Sequence, residues 1–255
     1  MDLGLRDAVA VVVGGASGIG RAVAAAFAAE GAAPAVIDLQ DAGEFPTLVA
    51  DVTDYVAVRQ SADDVLHRFG RVDHVVFAAG VGSGKFGFPF WNLEPSDWDR
   101  VLRVNLVGAV NVAHAYAPVL AERRRGTLLL VASVAGQVGS QTDPPYSASK
   151  AGLINFAQCA AKDLAPYGVR VNALCPGMVQ TPLNRSVWKA WADRRPPEER
   201  QDYETWAAEK IAKLVPLNRW QTPEDVAAMA VFLAGDRAAN VTGQTINVDG
   251  GYVMR

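Results

Sequence analysis

Val9-Ala10-Val11-Val12-Val13-Gly14-Gly15-Ala16-Ser17-Gly18-Ile19-Gly20 is the stretch that decides the fold. The unbroken apolar run Val9–Val13 has no polar face, so it reads as a strand buried on both sides of a parallel sheet. Gly14, Gly18 and Gly20 then permit a tight turn and a close approach of backbone to a ligand. Beyond them Ile19, Val23, Ala26 and Phe27 fall on one face of a helix. The start of that helix offers free N–H groups to an anion, and a dinucleotide pyrophosphate suits a strand–glycine turn–helix unit. The next apolar run, Ala35-Val36-Ile37, ends in Asp38. An acid about 20 residues past the glycines, at a strand end, can accept hydrogen bonds from the adenosine ribose; a plain turn or capping role is the alternative. A carboxylate there repels a 2′-phosphate. Ser17 and Leu39, two positions where a pairing base could sit, are uncharged, so NAD is the expected cofactor rather than NADP.

A second constellation lies at Tyr146-Ser147-Ala148-Ser149-Lys150, with Ser133 thirteen residues upstream. Side chains four apart share a helix face, so the phenol and the ammonium stand one turn from each other. A phenol with a reference pKa near ~10 is a poor base at neutral pH, and a nearby cation favours its phenolate. A hydroxyl from Ser133 can hold a substrate oxygen while Tyr146 moves the proton. Alone, a Tyr and a Lys at this spacing describe many ordinary surface helices; the glycine turn and Asp38 raise the functional reading above that.

Together these residues resemble the short-chain dehydrogenase/reductase superfamily in its single-domain form, over nearly the whole chain. Gly14-x-x-x-Gly18-Ile19-Gly20 is similar to its glycine motif, and Asp51-Val52 to the pair that brackets the adenine ring. Asn105, Ser133, Tyr146 and Lys150 match its catalytic tetrad, and Ala78 and Gly80 fall in its segment after the fourth strand. Pro176-Gly177-Met178-Val179-x-Thr181 resembles the segment that meets the nicotinamide end. Thr242-Gly243-Gln244 and Val248-Asp249-Gly250-Gly251 resemble the closing strand. Two positions depart from the pattern. Val13 stands where Thr is usual, and Ala78 stands where an Asn cross-braces the central strands, so another group must satisfy those backbone partners.

The resemblance implies an NAD-dependent oxidoreductase that interconverts a secondary alcohol and a ketone. Ser133 would bind the substrate oxygen and Tyr146 would act as general acid or base. Lys150 would hold the nicotinamide ribose and lower the Tyr146 pKa, and Asn105 would hold a water linking Lys150 to solvent. It also implies a homotetramer or dimer, paired through the helices that carry Asn105 and Tyr146. A polyol, sugar or cyclic alcohol is the first substrate expectation. A reductase of a 3-oxoacyl or biosynthetic ketone is the alternative, and a non-catalytic NAD-sensing protein a distant third.

The rest of the chain agrees. With 255 residues, half of them apolar, the chain is long enough for one large α/β core. Alternating strands and helices predict a Rossmann-type doubly wound parallel sheet in three layers, a single domain over 1–255. Strands are expected at 8–13, 34–38, 48–50, 73–78, 127–132, 169–174 and 245–248, and helices at 19–30, 55–69, 95–121, 146–166 and 223–234. Thr53 or Asp54, Ser96 and Thr222 are candidate caps. Residues 182–221 break the rhythm. They carry Trp188, Trp191, Trp206 and Trp220, which argue against disorder and predict a substrate lid or an oligomer contact. A net charge of −3 and an Arg123-Arg124-Arg125 run that suits a helix end argue against nucleic acid. Two cysteines suggest no disulfide framework, and the three histidines show no metal-ligand spacing. No leader and no long apolar span are seen, so a cytoplasmic protein without a membrane partner is expected. A serine hydrolase lacks its G-x-S-x-G, and a P-loop kinase its Gly-Lys-Ser/Thr.

Overall fold

The computed structural model describes residues 2–140 and 142–254. The apolar run at the N-terminus forms β1 (Val9–Val13), buried along its whole length. It lies at the centre of the sheet because both its edges are paired, with β2 (Ala33–Asp38) and β4 (His74–Phe77). Beyond β2 is β3 (Thr47–Val49); beyond β4 follow β5 (Gly126–Val131), β6 (Val169–Pro176) and β7 (Thr245–Val248). The order is β3-β2-β1-β4-β5-β6-β7, every pair parallel. Strand order reverses between β1 and β4, and in such sheets ligands bind beyond the carboxyl ends at this reversal.

Successive side chains of a strand point to opposite faces. Val9, Val11 and Val13 therefore pack on one side with α2 (Tyr55–Phe69), α4 (Gly108–Arg123) and α5 (Pro144–Leu164). Ala10 and Val12 pack on the other with α1 (Gly18–Ala29) and α8 (Pro223–Ala234). This is the three-layer, doubly wound arrangement that the alternating pattern predicts. Asp54 caps α2, its carboxylate accepting from Val56 N at 2.9 Å and Ala57 N at 3.2 Å. Ser96 does not cap its helix. It is the first residue of α3 (Ser96–Leu102), behind Pro95, and Asp97 accepts from Glu94 N at 2.9 Å instead.

The expected helix over 95–121 spans Ser96–Arg123, but a π-helical turn at Arg103–Val107 divides α3 from α4. Such a turn inserts an extra residue into the ladder and often accompanies a functional position; here it contains the fully buried Asn105. Contrary to the expectation of no long apolar span, this 28-residue helix is long and apolar enough, by length and composition, to cross a membrane. Its apolar face belongs to the core: Val112, Tyr116 and Leu120 are buried among residues of α2, α5 and the sheet.

Residues 182–221 carry α6 (Pro182–Ala192) and α7 (Tyr203–Leu214). They enclose a small core of their own around Tyr203, Trp206, Ile211 and Val215, with Trp188, Trp191 and Trp220 packed against it. Tyr203 stands 5.1 Å from Trp220, 5.8 Å from Trp188 and 6.2 Å from Trp206, ring centre to ring centre. The tryptophans thus bury one another, and of the four only Trp206 also lines the cleft described next.

Candidate active site

The loops at the carboxyl ends of the strands open into one cavity of about 1130 Å³. A pocket for one drug-sized ligand occupies roughly 300–1,000 Å³, so this cleft has room for a dinucleotide and a second molecule. Every residue assigned to cofactor or catalysis from sequence lines it except Asn105, which sits behind the wall.

One half is built by the turn after β1. Gly14 has φ +80, and a Cβ there would lie 2.5 Å from Ala79 N. A Cβ on Gly20 would collide with the Gly14 carbonyl oxygen. Backbone therefore packs on backbone at this turn. Ser17 occupies the N-cap position without making a capping hydrogen bond, and the first turn of α1 has no acid. Its N–H groups and dipole are thus free for an anion. Gly18 and Ile19 line the cleft beside them.

At the end of β2, Asp38 Oδ2 accepts from Ala16 N at 3.0 Å and Oδ1 from Gln40 N at 3.2 Å. The two readings of Asp38 are therefore compatible: it braces the glycine turn, and a carboxylate has further acceptor capacity for ribose hydroxyls. Leu39 beside it is largely exposed. Asp51 and Val52 line the same end after β3, where Asn111 of α4 donates to Val52 O at 2.9 Å. These features fit the adenosine and pyrophosphate of a nicotinamide dinucleotide.

At the departure position, Ala78 N donates to Val13 O at 2.8 Å. The side-chain brace comes one turn later and from another element. Asn105 Oδ1 accepts from Val81 N at 2.8 Å, while its Nδ2 donates to Val81 O at 2.9 Å and to Ser149 Oγ at 3.0 Å. The side chain expected to hold a water therefore ties the Gly80–Val81 loop to α5.

The other half gathers Ser133, Tyr146 and Lys150. Ser133, at the end of β5, accepts from Ala135 N at 3.1 Å, which closes the short turn Val134–Gly136. Ser147 of α5 donates to the Ala135 carbonyl oxygen and so docks that turn on the helix. Asp143 caps α5, accepting from Tyr146 N at 3.4 Å and, through its other oxygen, from Ser83 N at 2.8 Å. It starts the helix at Pro144, two residues before the expected start. Asp143 also lines the cleft, and burial raises its pKa. An Asp directly before a Pro at a helix start is the sequence signal that could have found it.

Lys150 is buried, with Nζ donating to Val131 O at 2.8 Å and lying 5.5 Å from the centre of the Tyr146 ring. Burial depresses its pKa to about 8. Burial also pushes the Tyr146 phenol up to about 12, against the opposing hydrogen-bonding influence of Ser133. The phenol is thus raised by desolvation, where the sequence predicts a lowering by Lys150. At neutral pH the site holds a protonated phenol, which is the proton-donating form.

Pro176, Gly177, Val179 and Thr181 follow β6 on the far wall. Gly177 N donates to Val248 O at 3.0 Å, and Thr181 Oγ1 accepts from Asn184 N at 3.2 Å at the start of α6.

Comparison with known proteins places this cleft in a family. A family model described as enoyl-(acyl carrier protein) reductase matches residues 14–253. The chain is 34% identical to the 3-oxoacyl-(acyl-carrier-protein) reductase FabG of Thermotoga maritima, over 98% of this chain and 99% of that protein. It is also 34% identical to the D-threitol dehydrogenase of Mycolicibacterium smegmatis, over 100% of this chain and 96% of that one. The ligand-free structure of Thermoplasma acidophilum aldohexose dehydrogenase superposes with a TM-score of 0.90 at 29% identity, covering 100% of this chain and 97% of the other. With its sheet order, its glycine turn and these full-length relatives, the chain belongs to the short-chain dehydrogenase/reductase superfamily.

Proposed function

We propose that the protein is an NAD-dependent oxidoreductase that interconverts a secondary alcohol and a ketone, with Tyr146 as the general acid and base. The observation that carries this reading is the convergence of Ser133, Tyr146 and Lys150 on a cleft whose other half is the Gly14–Gly20 turn and Asp38. When bound, the nicotinamide supplies the hydride acceptor or donor, chemistry that no side chain provides. Asp38 favours NAD by repelling a 2′-phosphate. The start of helix α1 would hold the pyrophosphate, and Asp51 and Val52 would hold the adenine end.

Ser133 donates to the substrate oxygen and orients it toward the Tyr146 hydroxyl. In reduction, Tyr146 gives its proton to the developing alkoxide. In oxidation, it removes the proton from the alcohol. Lys150 binds the nicotinamide ribose with the hydrogens not engaged by Val131 O. Asn105 is a positioning residue that fixes the Gly80–Val81 wall against α5. Segment 182–221 covers the substrate and excludes water.

A polyol, sugar or cyclic alcohol is the first substrate reading, supported by relatives named for threitol and aldohexose. A 3-oxoacyl ketone is the second, supported by equal identity to a 3-oxoacyl reductase. The intact tetrad weighs against a purely NAD-sensing role. Exposed Val107 and Val110 on the helix that carries Asn105 support pairing into a dimer or tetramer. The test is turnover of secondary alcohols and polyols with NAD or NADP, followed by absorbance of the reduced nicotinamide, with Asp38→Ala in parallel. Preference for NAD that weakens in Asp38→Ala is expected; wild-type turnover with NADP alone would refute the cofactor assignment.

A further inference from the structure

Lys210, on α7, is the only charged residue of segment 182–221 that lines the cleft among the described residues. Three other cations of the segment, none of them on the cleft wall, find counter-charges. Lys189 Nζ lies 2.7 Å from Asp193, Arg185 lies 3.6 Å from Glu204, and Arg219 pairs with Asp225. Lys210 makes no ion pair and no hydrogen bond within the described residues. Its Nζ sits 4.4 Å over the ring centre of Trp206, which is 3% exposed and locked in the tryptophan core. The aromatic face holds the ammonium in place but cannot neutralise it. Desolvation depresses the Lys210 pKa, the mark of a cation taken partly out of water without compensation.

The acids on the cleft wall do not supply that compensation. Asp38 and Asp51 belong to the adenosine end, and Asp143 is engaged by Ser83 N and Tyr146 N. An unpaired, half-desolvated cation costs free energy, and an anionic group on a ligand would offset that cost. A neutral polyol would leave it uncompensated.

We propose that Lys210 receives an anionic oxygen of the substrate, a carboxylate or a phosphate, so that the alcohol or ketone handled at Tyr146 carries a negative charge. This rests on the dehydrogenase reading above and narrows its substrate class. Lys210 sets specificity and takes no part in proton transfer. Trp206 fixes its position, and the buried core behind Trp206 makes the position rigid.

Two matched pairs of probes test it: 3-hydroxybutyrate against its methyl ester, and glycerol 3-phosphate against glycerol. Calorimetric titration of the NAD-saturated protein measures binding, and nicotinamide absorbance measures turnover. At least one anion is expected to bind about tenfold or more tighter than its neutral partner, the scale of one charge-assisted hydrogen bond. Which pair responds distinguishes carboxylate from phosphate. Lys210→Met should collapse that preference toward unity, with the loss in KM for the anion, and Lys210→Arg should retain it. Should Lys210→Met fail to bind NAD, Lys210→Gln replaces it. The proposal is overturned if neither anion outbinds its partner, or if the preference survives removal of the charge. Tyr146→Phe separates the two readings. If the anion preference persists in its binding while wild type turns over neither these probes nor any alcohol of the wider panel with NAD or NADP, the Lys210 site stands and the dehydrogenase assignment falls.

Discussion

Replacing Asn105 tests whether its side chain is a structural brace. Asn105→Ala removes three hydrogen bonds, to Val81 N, Val81 O and Ser149 Oγ. A buried polar group left without its partner costs about 1–3 kcal/mol. Val81 is only partly buried, so water repairs part of the damage, and a net loss of about 2–3 kcal/mol follows. For a chain of this size each kcal/mol moves Tm by about 2–4 °C, so a fall of about 4–12 °C is expected. Asn105→Asp sharpens the test. It keeps the acceptor for Val81 N but sets a carboxylate oxygen against Val81 O. Ser149 cannot relieve it, because its hydroxyl proton is donated to Tyr146 O at 2.7 Å. The folded-state pKa of the new Asp is therefore raised, and the native state binds the proton more tightly than the unfolded chain. Stability of this variant then falls as pH rises from the unfolded value near ~3.9 through the raised folded one, and its deficit is smallest in acid. Thermal melts of both variants across pH measure this. If both melt within about 1 °C of wild type at neutral pH, well inside the expected fall, the brace is not there.

Other outcomes follow from the same geometry. Gly14→Ala forces a left-handed φ of +80 on a residue with a Cβ and drives that atom to 2.5 Å from Ala79 N. The backbone strain alone costs about 1–2 kcal/mol, and NAD affinity measured by titration should fall tenfold or more; an unchanged Kd would exclude a tight cradle. The pH profile should split by direction. Ketone reduction uses the protonated phenol, which burial holds up to about 12, so its rate should stay level from pH 6 until Lys150 titrates at about 8. Alcohol oxidation needs the phenolate and should climb over the same range until Lys150, at about 8, loses its charge. Oxidation that falls with rising pH while reduction climbs would contradict this assignment.

The sheet was legible because its signals are local. The run Val9–Val13 can only be buried on both faces, and α2 begins and ends at Tyr55 and Phe69 as its cap and periodicity predict. The four residues that resemble a tetrad were legible from their motifs, and three of them, Ser133, Tyr146 and Lys150, line the cleft. What the sequence concealed depends on elements that meet only in the folded chain. The π turn at Arg103–Val107 has no local breaker, and it places Asn105 against Val81 and Ser149. The tryptophans of 182–221 could be counted, but only packing revealed that they pack on one another and that Trp206 alone of the four also lines the cleft. The Tyr146 pKa followed the same rule: a cation at helical spacing predicted a lowered phenol, and burial in the folded chain raised it. Lys210 is one of many surface-type lysines in sequence, singled out only by its position over Trp206.

Tyr146→Phe tests the central claim most directly, because it removes one hydroxyl and leaves the ring, α5 and the cofactor wall in place. NAD affinity and turnover are measured together on the mutant and wild type, with an alcohol the wild type oxidises. Loss of the general acid and base should lower kcat by about 10²–10⁴ while the Kd for NAD stays within a few-fold. Near-wild-type kcat in Tyr146→Phe would show that the proton moves through another group, and the assignment of this cleft would be wrong.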